Sequence, residues 1–323
     1  MEEKKSLVLA LLDILIHESD ENHILRKEEI LKLLEIKYSM NIERRTLYSN
    51  IKLLQNFGYD ISDYKDNGIG YYLIDRQFER SEINLLCHSI HSSHIIPDSL
   101  SKDLINKLLS TQNKYVANDF KNRVYAKNYR KSQNKQFFLN IDLLLEAIQA
   151  RKPINFIYTK YNHKKERIPR REKQYEVSPY DIVYANGCCY LISFNEKYKN
   201  LSHYRVDKMK DIIIEKEKSF FYEEEFNSYE YITSKLYMYS GNEVNVLLRC
   251  NNTILDDVID TFGTNTFIKE EKDKNTFIAK ITSSKEGIIY WSLQYLKYCT
   301  VLEPAEIKTE IKSILKSAIK KYD

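Results

Sequence analysis

The 323-residue chain is 43% hydrophobic, 30% charged and 12% aromatic, with seven Gly and five Pro. This excludes collagen-like, linker-like, disulfide-scaffold and disordered classes and leaves room for two or three domains. The net charge of +4 is too small to name a partner, and no apolar run reaches the roughly 18 residues of a membrane span. The charge is uneven: residues 1–76 carry −3, 77–145 +4, 146–218 +6 and 219–323 −3. An anionic partner is therefore expected at the middle of the chain or at a small cation cluster elsewhere. The five cysteines (Cys87, Cys188, Cys189, Cys250, Cys299) form no C-x-x-C and no framework spacing. The apolar start, Leu7 to Ile16, is interrupted by Asp13 and lacks a cleavage signature. A reduced, cytoplasmic protein is expected.

Leu7, Leu11, Ile14 and Leu15 lie at helical spacing, so a first helix is predicted over Lys4–His17. A second follows over Lys27–Tyr38 and a third over Ile42–Asn56, with Asn41 as its N-cap. In the third, Leu47, Ile51 and Leu54 form an inward stripe, and Arg44, Arg45, Tyr48, Ser49 and Lys52 lie opposite. Gly58 ends the helix, and Tyr59–Ser62 with Tyr71–Ile74 read as a hairpin turning at Lys65-Asp66-Asn67-Gly68. Three helices and a hairpin make a winged helix-turn-helix, whose third helix enters the DNA major groove by its N-terminal end. Candidate DNA contacts are Arg44, Arg45, Thr46, Tyr48, Ser49, Asn50 and Lys52, plus Lys65 at the wing tip. Two guanidinium groups at that end suit bidentate pairing with guanine. A protein-binding winged helix is the competing reading.

Residues 77–151 return to helical spacing, with 127–136 as a polar linker. The cations of 121–135 (Lys121, Arg123, Lys127, Arg130, Lys131, Lys135) read as a solvated run, with a second DNA-backbone contact as the alternative. Cys87, His88, His91 and His94 share a helix without further ligands at useful spacing, so no metal is expected there. From Pro153 the pattern becomes strands: INFIY, YEVSPYDIVYA, CCYLISF and LSHYRV. YTKYNHKKERIPRREK gathers seven cations against two glutamates, and strand alternation sends Tyr204 one way and His203 and Arg205 the other. A half-barrel sheet with Arg, His and Tyr on one face suits phosphates and stacked bases. Candidate ligand contacts are Tyr158, Arg167, Arg170, Arg171, Tyr190, His203, Arg205 and Lys208. The opposing reading is a solvated basic hairpin in which Arg205 pairs with Asp207. Of the adjacent cysteines, Cys189 should point inward and Cys188 outward. The tail reads as strand EVNVLLRC, helix ILDDVIDTF, strands TFIKE and TFIAKI, then helices over Lys285–Tyr298 and Pro304–Lys321, with Pro304 in the first turn.

The run IERRTLYSNIKLLQNFGYDISDYKDNGIGYYL resembles the N-terminus of WYL-domain transcriptional regulators. Arg45, Thr46, Leu47, Ile51, Leu54, Gly58, Ile61, Gly70, Tyr71 or Tyr72, and Leu73 fit that pattern, while Glu43, Ser49 and Asn50 depart from its Ser, Arg and Asp. LLEAIQAR, VSPYDIVYANGCCYL and HYRVDKM resemble stretches of the WYL domain itself. There the naming tripeptide is Cys189-Tyr190-Leu191, and Lys208 stands for an arginine. The end, TSSKEGIIYWSLQYLKYCTVLEPAEIKTEIKSIL, resembles the family's C-terminal extension.

The resemblance implies an α+β multidomain chain: a winged helix-turn-helix at 1–76, a helical linker at 77–140, a small Sm-like β-barrel WYL domain at 141–218, and an α/β, ferredoxin-like dimerisation domain at 219–323. It implies a homodimer on an inverted-repeat operator in double-stranded DNA, more a repressor than an activator. The effector would be a nucleic-acid fragment or nucleotide, and the setting phage defence or DNA damage. No cofactor, metal, membrane or catalytic group is called for, since P-loop, G-x-G-x-x-G, G-x-S-x-G and H-E-x-x-H motifs are absent from the sequence. A nucleic-acid-processing enzyme and a non-DNA adaptor are the alternatives.

Overall fold

A computed structural model describes residues 2–124, 131–220, 226–228, 231, 236–238, 243–272 and 275–322, with the side chains of 2–5 and 122–124 left aside. Contacts divide the chain into two units, 1–135 and 136–323.

In the first unit, α1 (Glu2–Glu18), α2 (Lys27–Tyr38) and α3 (Arg44–Asn56) bury their apolar stripes together. Leu11, Ile14, Leu15, Ile30, Leu34 and Leu47 are fully enclosed. Helix α3 starts two residues later than its periodicity predicts: Glu43, with an extended backbone and no side-chain cap bond, is the N-cap, and Asn41 lies outside. The predicted Asn-Gly hairpin turn is also corrected. Between β1 (Ile61–Ser62) and β2 (Tyr72–Leu73) the chain makes one helical turn, α4 (Tyr64–Asn67), which Asp63 caps and Gly68 closes at φ 71°. Asn67 serves that loop with its side chain: Oδ1 accepts from the N–H groups of Ile69 and Gly70, and Nδ2 donates to Ser62 Oγ. Gly70 is required because a Cβ there would stand 2.1 Å from the Leu25 carbonyl oxygen. That close approach lets Leu25 and Tyr71 exchange two backbone hydrogen bonds, of 2.9 and 2.8 Å, fixing the wing to the start of α2.

Helices α5 (Arg80–Ser92), α6 (Asp98–Leu109) and α7 (Lys114–Val124) enclose a second core of Ile83, Cys87, Ile105, Leu109 and Phe120. A polar seam ties them to the winged part. Buried Glu18 takes both Lys37 (2.5 Å) and Lys114 (2.6 Å), Asn113 donates to Asp20, and Arg76 donates to the carbonyls of Ile16 and Ser19. Lys37 and Lys114 hold the Glu18 carboxyl below its usual range, against the upward push of burial. The basic run is corrected at one position. Lys131 is buried, and its ammonium donates to the carbonyls of Ile90, Ser93 and Ile96 and to Ser101 Oγ (2.7 Å). It satisfies carbonyls that the end of α5 leaves open. Lys121 and Lys135 are exposed, while Arg123, Lys127 and Arg130 lie outside the described side chains.

The second unit begins with α8 (Phe137–Gln149), which packs on a six-stranded curled antiparallel sheet. Its strands are β3 (Ile154–Tyr161), β4 (Arg167–Pro169), β5 (Tyr175–Ala185), β6 (Cys188–Asn195), β7 (Asn200–Arg205) and β8 (Met209–Ile214). The order is β4-β3-β5-β6-β7, with β8 also paired to β3. Inside the curl, Phe156, Tyr158, Tyr175 and Tyr204 contact one another at ring separations of 5.1–6.3 Å. Cys189 is buried and Cys188 is half-buried, as alternation predicts.

The chain ends in a four-stranded antiparallel sheet of order β10-β11-β9-β12. Here β9 (Glu243–Asn251), α9 (Leu255–Phe262), β10 (Phe267–Glu270), β11 (Thr276–Ser284), α10 (Lys285–Gln294) and β12 (Cys299–Glu303) follow the β-α-β-β-α-β connectivity, and α11 (Ala305–Ile319) completes it. Helix α10 ends at Gln294, short of the predicted Tyr298, and Pro304 is the N-cap of α11, one place before its first turn. Trp291 is 1% exposed, with Phe262 and Tyr295 against its ring.

Candidate nucleic-acid and anion sites

The first site follows from the register of α3. Turning Leu47, Ile51 and Leu54 inward leaves Arg44, Arg45, Tyr48, Ser49 and Lys52 exposed and Thr46 and Asn50 half-exposed. Arg44 and Arg45 occupy the first turn. Arg44 lies near Glu28, whose exposed carboxyl is held low by its own backbone N–H, by Lys27 and by Arg44. Ser49 Oγ and Asn50 Nδ2 both donate to the Thr46 carbonyl, so these two side chains bond their own helix. Lys65 is exposed on the turn of α4. A cleft of about 560 Å³ separates α3 from the wing, lined by Arg26, Lys27, Tyr48, Tyr64 and Gly70 among others. Arg26, Lys27 and Tyr64 were missed from the sequence. Their only signal is position, since Arg26 and Lys27 open α2; there the Arg26 N–H is already taken by Glu29, and Glu28 shares the cleft.

The second site lies where β7 runs into β8. Asp207, 2% exposed, receives Arg205 Nε and Nη2 at 3.0 Å each, and Arg167 Nη2 approaches it at 3.6 Å. Arg167 Nη1 donates to the Asp207 carbonyl and to Thr159 Oγ1, its guanidinium lies 4.7 Å from the Tyr161 ring centre, and its buried Nε has no partner among the described residues. Lys208 is half-buried beside them, its ammonium pushed down by burial and by Arg205 and Arg167. Tyr190 pairs across the sheet with Arg205, and its hydroxyl is pushed up to about 12 by burial and by Cys188. Three cations thus share one carboxylate, and the surplus positive charge at a partly dry site suits a phosphate or carboxylate.

The predicted ligand residues divide. Arg167, Arg205, Lys208 and Tyr190 come together. Tyr158 is interior, its hydroxyl accepting the Arg205 backbone N–H at 3.2 Å. Arg170 is exposed, and Arg171 lies over the Tyr175 ring at 3.5 Å while donating to the carbonyls of Lys173 and Gln174. His203 faces the same side as Arg205 but turns to Met238 and Tyr231. The paired reading of Arg205 therefore holds for its Asp207 contact. Asp207 belongs to the site, although the competing reading of the sequence has it silence Arg205. Among the described residues, no three His, Cys, Asp or Glu are grouped to hold a metal, and no helix is long and apolar enough to cross a membrane.

Residues 140–214 match the WYL domain family, so the chain carries a WYL domain spanning α8 to β8. No curated protein matches the chain. Among solved structures, it is similar to proteasome accessory factor B/C (PafBC) of Arthrobacter aurescens at 14% identity and TM-score 0.29, covering 100% of this chain and 49% of that one. The chain thus spans about half the length of that relative. A second structure, described as a CRISPR Cas-related protein, is similar at 16% identity and TM-score 0.39, covering 77% of this chain and 75% of that one. At those scores neither neighbour fixes the architecture or the chemistry.

Proposed function

We propose that this chain, with a WYL domain at 140–214, is a DNA-binding transcription regulator and not an enzyme. The observation that carries the reading is the exposed pair Arg44 and Arg45 on the first turn of a helix whose opposite face is locked into a core. A helix held that way presents its N-terminal side chains to base edges while the wing and the start of α2 meet phosphates. The −3 charge of residues 1–76 does not oppose this, because phosphate contact depends on the few cations at the surface that docks.

The Arg167–Arg205–Lys208 cluster is the effector site in this reading, taking a phosphate of a nucleic-acid fragment or nucleotide. One recognition helix reads too few base pairs to select a genomic site, so the regulator acts as a homodimer on an inverted repeat, through its C-terminal sheet. It works as a cytoplasmic repressor, and effector binding must favour one of its two DNA-affinity states to have any effect. Genomic fragments retained by the immobilised protein, sequenced in parallel for wild type and Arg45→Ala, test the assignment. Discrete inverted-repeat sites that vanish in the variant are expected, and identical fragment sets from both proteins would overturn it.

A further inference from the structure

Strand β7 carries two side chains on one face, Arg205 in the anion cluster and His203 two residues earlier, about 7 Å along the strand. His203 Nδ1 lies 3.0 Å from the Met238 carbonyl and Nε2 lies 2.9 Å from the Tyr231 hydroxyl. A carbonyl only accepts, so Nδ1 carries the proton and Nε2 accepts from Tyr231 in the neutral ring. The Met238 side chain is buried with Tyr180, Val183 and Ile192 on the outside of the curled sheet, and Ile192 is the cross-strand partner of His203.

Two residues before Met238, Leu236 turns instead toward the other sheet. It packs against the C-terminal core, and its carbonyl oxygen and Cβ stand 2.8 and 2.9 Å from the position a Gly287 side chain would occupy. Glycine in α10 therefore lets this strand of chain lie directly on the helix. Between the two anchors, the Tyr237 hydroxyl donates to Gln294 at the end of α10 (3.0 Å). Tyr237 and Met238 both hold left-handed backbone, at φ 56° and 57°. Two consecutive residues with side chains rarely adopt it, and contacts on both sides must hold them there.

We propose that residues 236–238 are a strained clip that reports anion occupancy at Arg205 to helix α10 of the C-terminal sheet, so that effector binding acts on that sheet through β7, His203 and Leu236. The inference rests on the Arg205 cluster being the effector site. An anion that draws Arg205 from Asp207 moves β7, the strand whose next outward side chain grips Met238. Because Leu236 and Met238 are anchored in different cores two residues apart, that movement must be taken up at Leu236 or by release of the left-handed pair.

Trp291, the chain's single tryptophan, lies within α10 and reads the C-terminal core directly. The full-length protein is titrated with inorganic phosphate and with a short single-stranded oligonucleotide, following binding by calorimetry and Trp291 emission in the same samples. Wild type should bind and change its emission. Tyr237→Gly, which accepts the left-handed backbone and removes the Gln294 contact, and Gly287→Ala, which pushes Leu236 from the helix, should bind with wild-type affinity and lose most of the emission change. Should Gly287→Ala fail to fold, Tyr237→Gly alone decides. Binding without an emission change in wild type, or an undiminished change in Tyr237→Gly, overturns the clip and leaves the effector site standing. No binding of either probe by wild type overturns both.

Discussion

Asp207→Asn separates the two halves of the anion-site argument, because the carboxylate supports the fold and also occupies the cations. Asp207 is 2% exposed and bridges Arg205, bidentate at 3.0 Å, and Arg167 at 3.6 Å. Removing one partner of a buried pair costs about 3–5 kcal/mol. The Arg205 and Arg167 side chains are 31% and 19% exposed, so water screens part of the uncovered charge and about 2–3 kcal/mol is expected. For a unit of this size that is a fall in Tm of roughly 4–12 °C. The near-isosteric amide leaves shape intact and raises the local formal charge by one, so inorganic phosphate should bind about tenfold more tightly, or about 1.4 kcal/mol. The assay is thermal unfolding at low ionic strength, with and without phosphate. A lower Tm that phosphate restores more strongly than in wild type is expected. A variant as stable as wild type, or one that phosphate does not rescue, would refute the reasoning.

Three further outcomes follow from particular contacts. Gly70→Ala drives a Cβ into the Leu25 carbonyl and breaks both wing hydrogen bonds, costing about 1–3 kcal/mol by chemical denaturation; wild-type stability would show that the wing is not held this way. Lys131→Met leaves the carbonyls of Ile90 and Ser93 and the Ser101 hydroxyl without their ammonium donor, a loss of about 1.5–3 kcal/mol, and hydrogen exchange at the end of α5 should rise, whereas unchanged protection there contradicts the role. Burial, Arg205 and Arg167 lower the Lys208 pKa in the free protein, and a bound anion raises it. Anion affinity should therefore be greatest below the free-state pKa and decline as pH rises through it, in a window beneath the ordinary lysine value of about 10.4. Calorimetric proton uptake tests this, and pH-independent affinity across that window removes Lys208 from the site.

Periodicity gives α2 to the residue and β3, β5, β6, β7, β9, β10 and β11 to within a few residues, because each buries one regular stripe or face, but it passes over β4, β8 and β12. Legibility failed where a side chain answers to something distant in sequence. Asn67-Gly68 is as good a helix end as a hairpin turn, and the choice is made by Asn67 reaching Ser62 and Gly70. Lys131 sits in a cationic run that looks solvated, yet carbonyls 35–41 residues away and a hydroxyl 30 residues away claim it. Alternation correctly put His203 and Arg205 on one face. It could not say that a segment near residue 238 would cover His203 and leave Arg205 to Asp207. Helix α3 is legible because both its buried stripe and its exposed arginines are local.

The central claim, that the first turn of α3 meets DNA, is tested most directly by the salt dependence of binding. Fluorescence anisotropy with a selected genomic fragment, across ionic strengths, compares wild type with Arg44→Ala/Arg45→Ala. Wild type should bind with a steep salt slope, while the double variant keeps its fold and loses at least about thirtyfold in affinity, as expected for two lost contacts at ~1–3 kcal/mol each. Equal affinity and equal slope for the two proteins would contradict it.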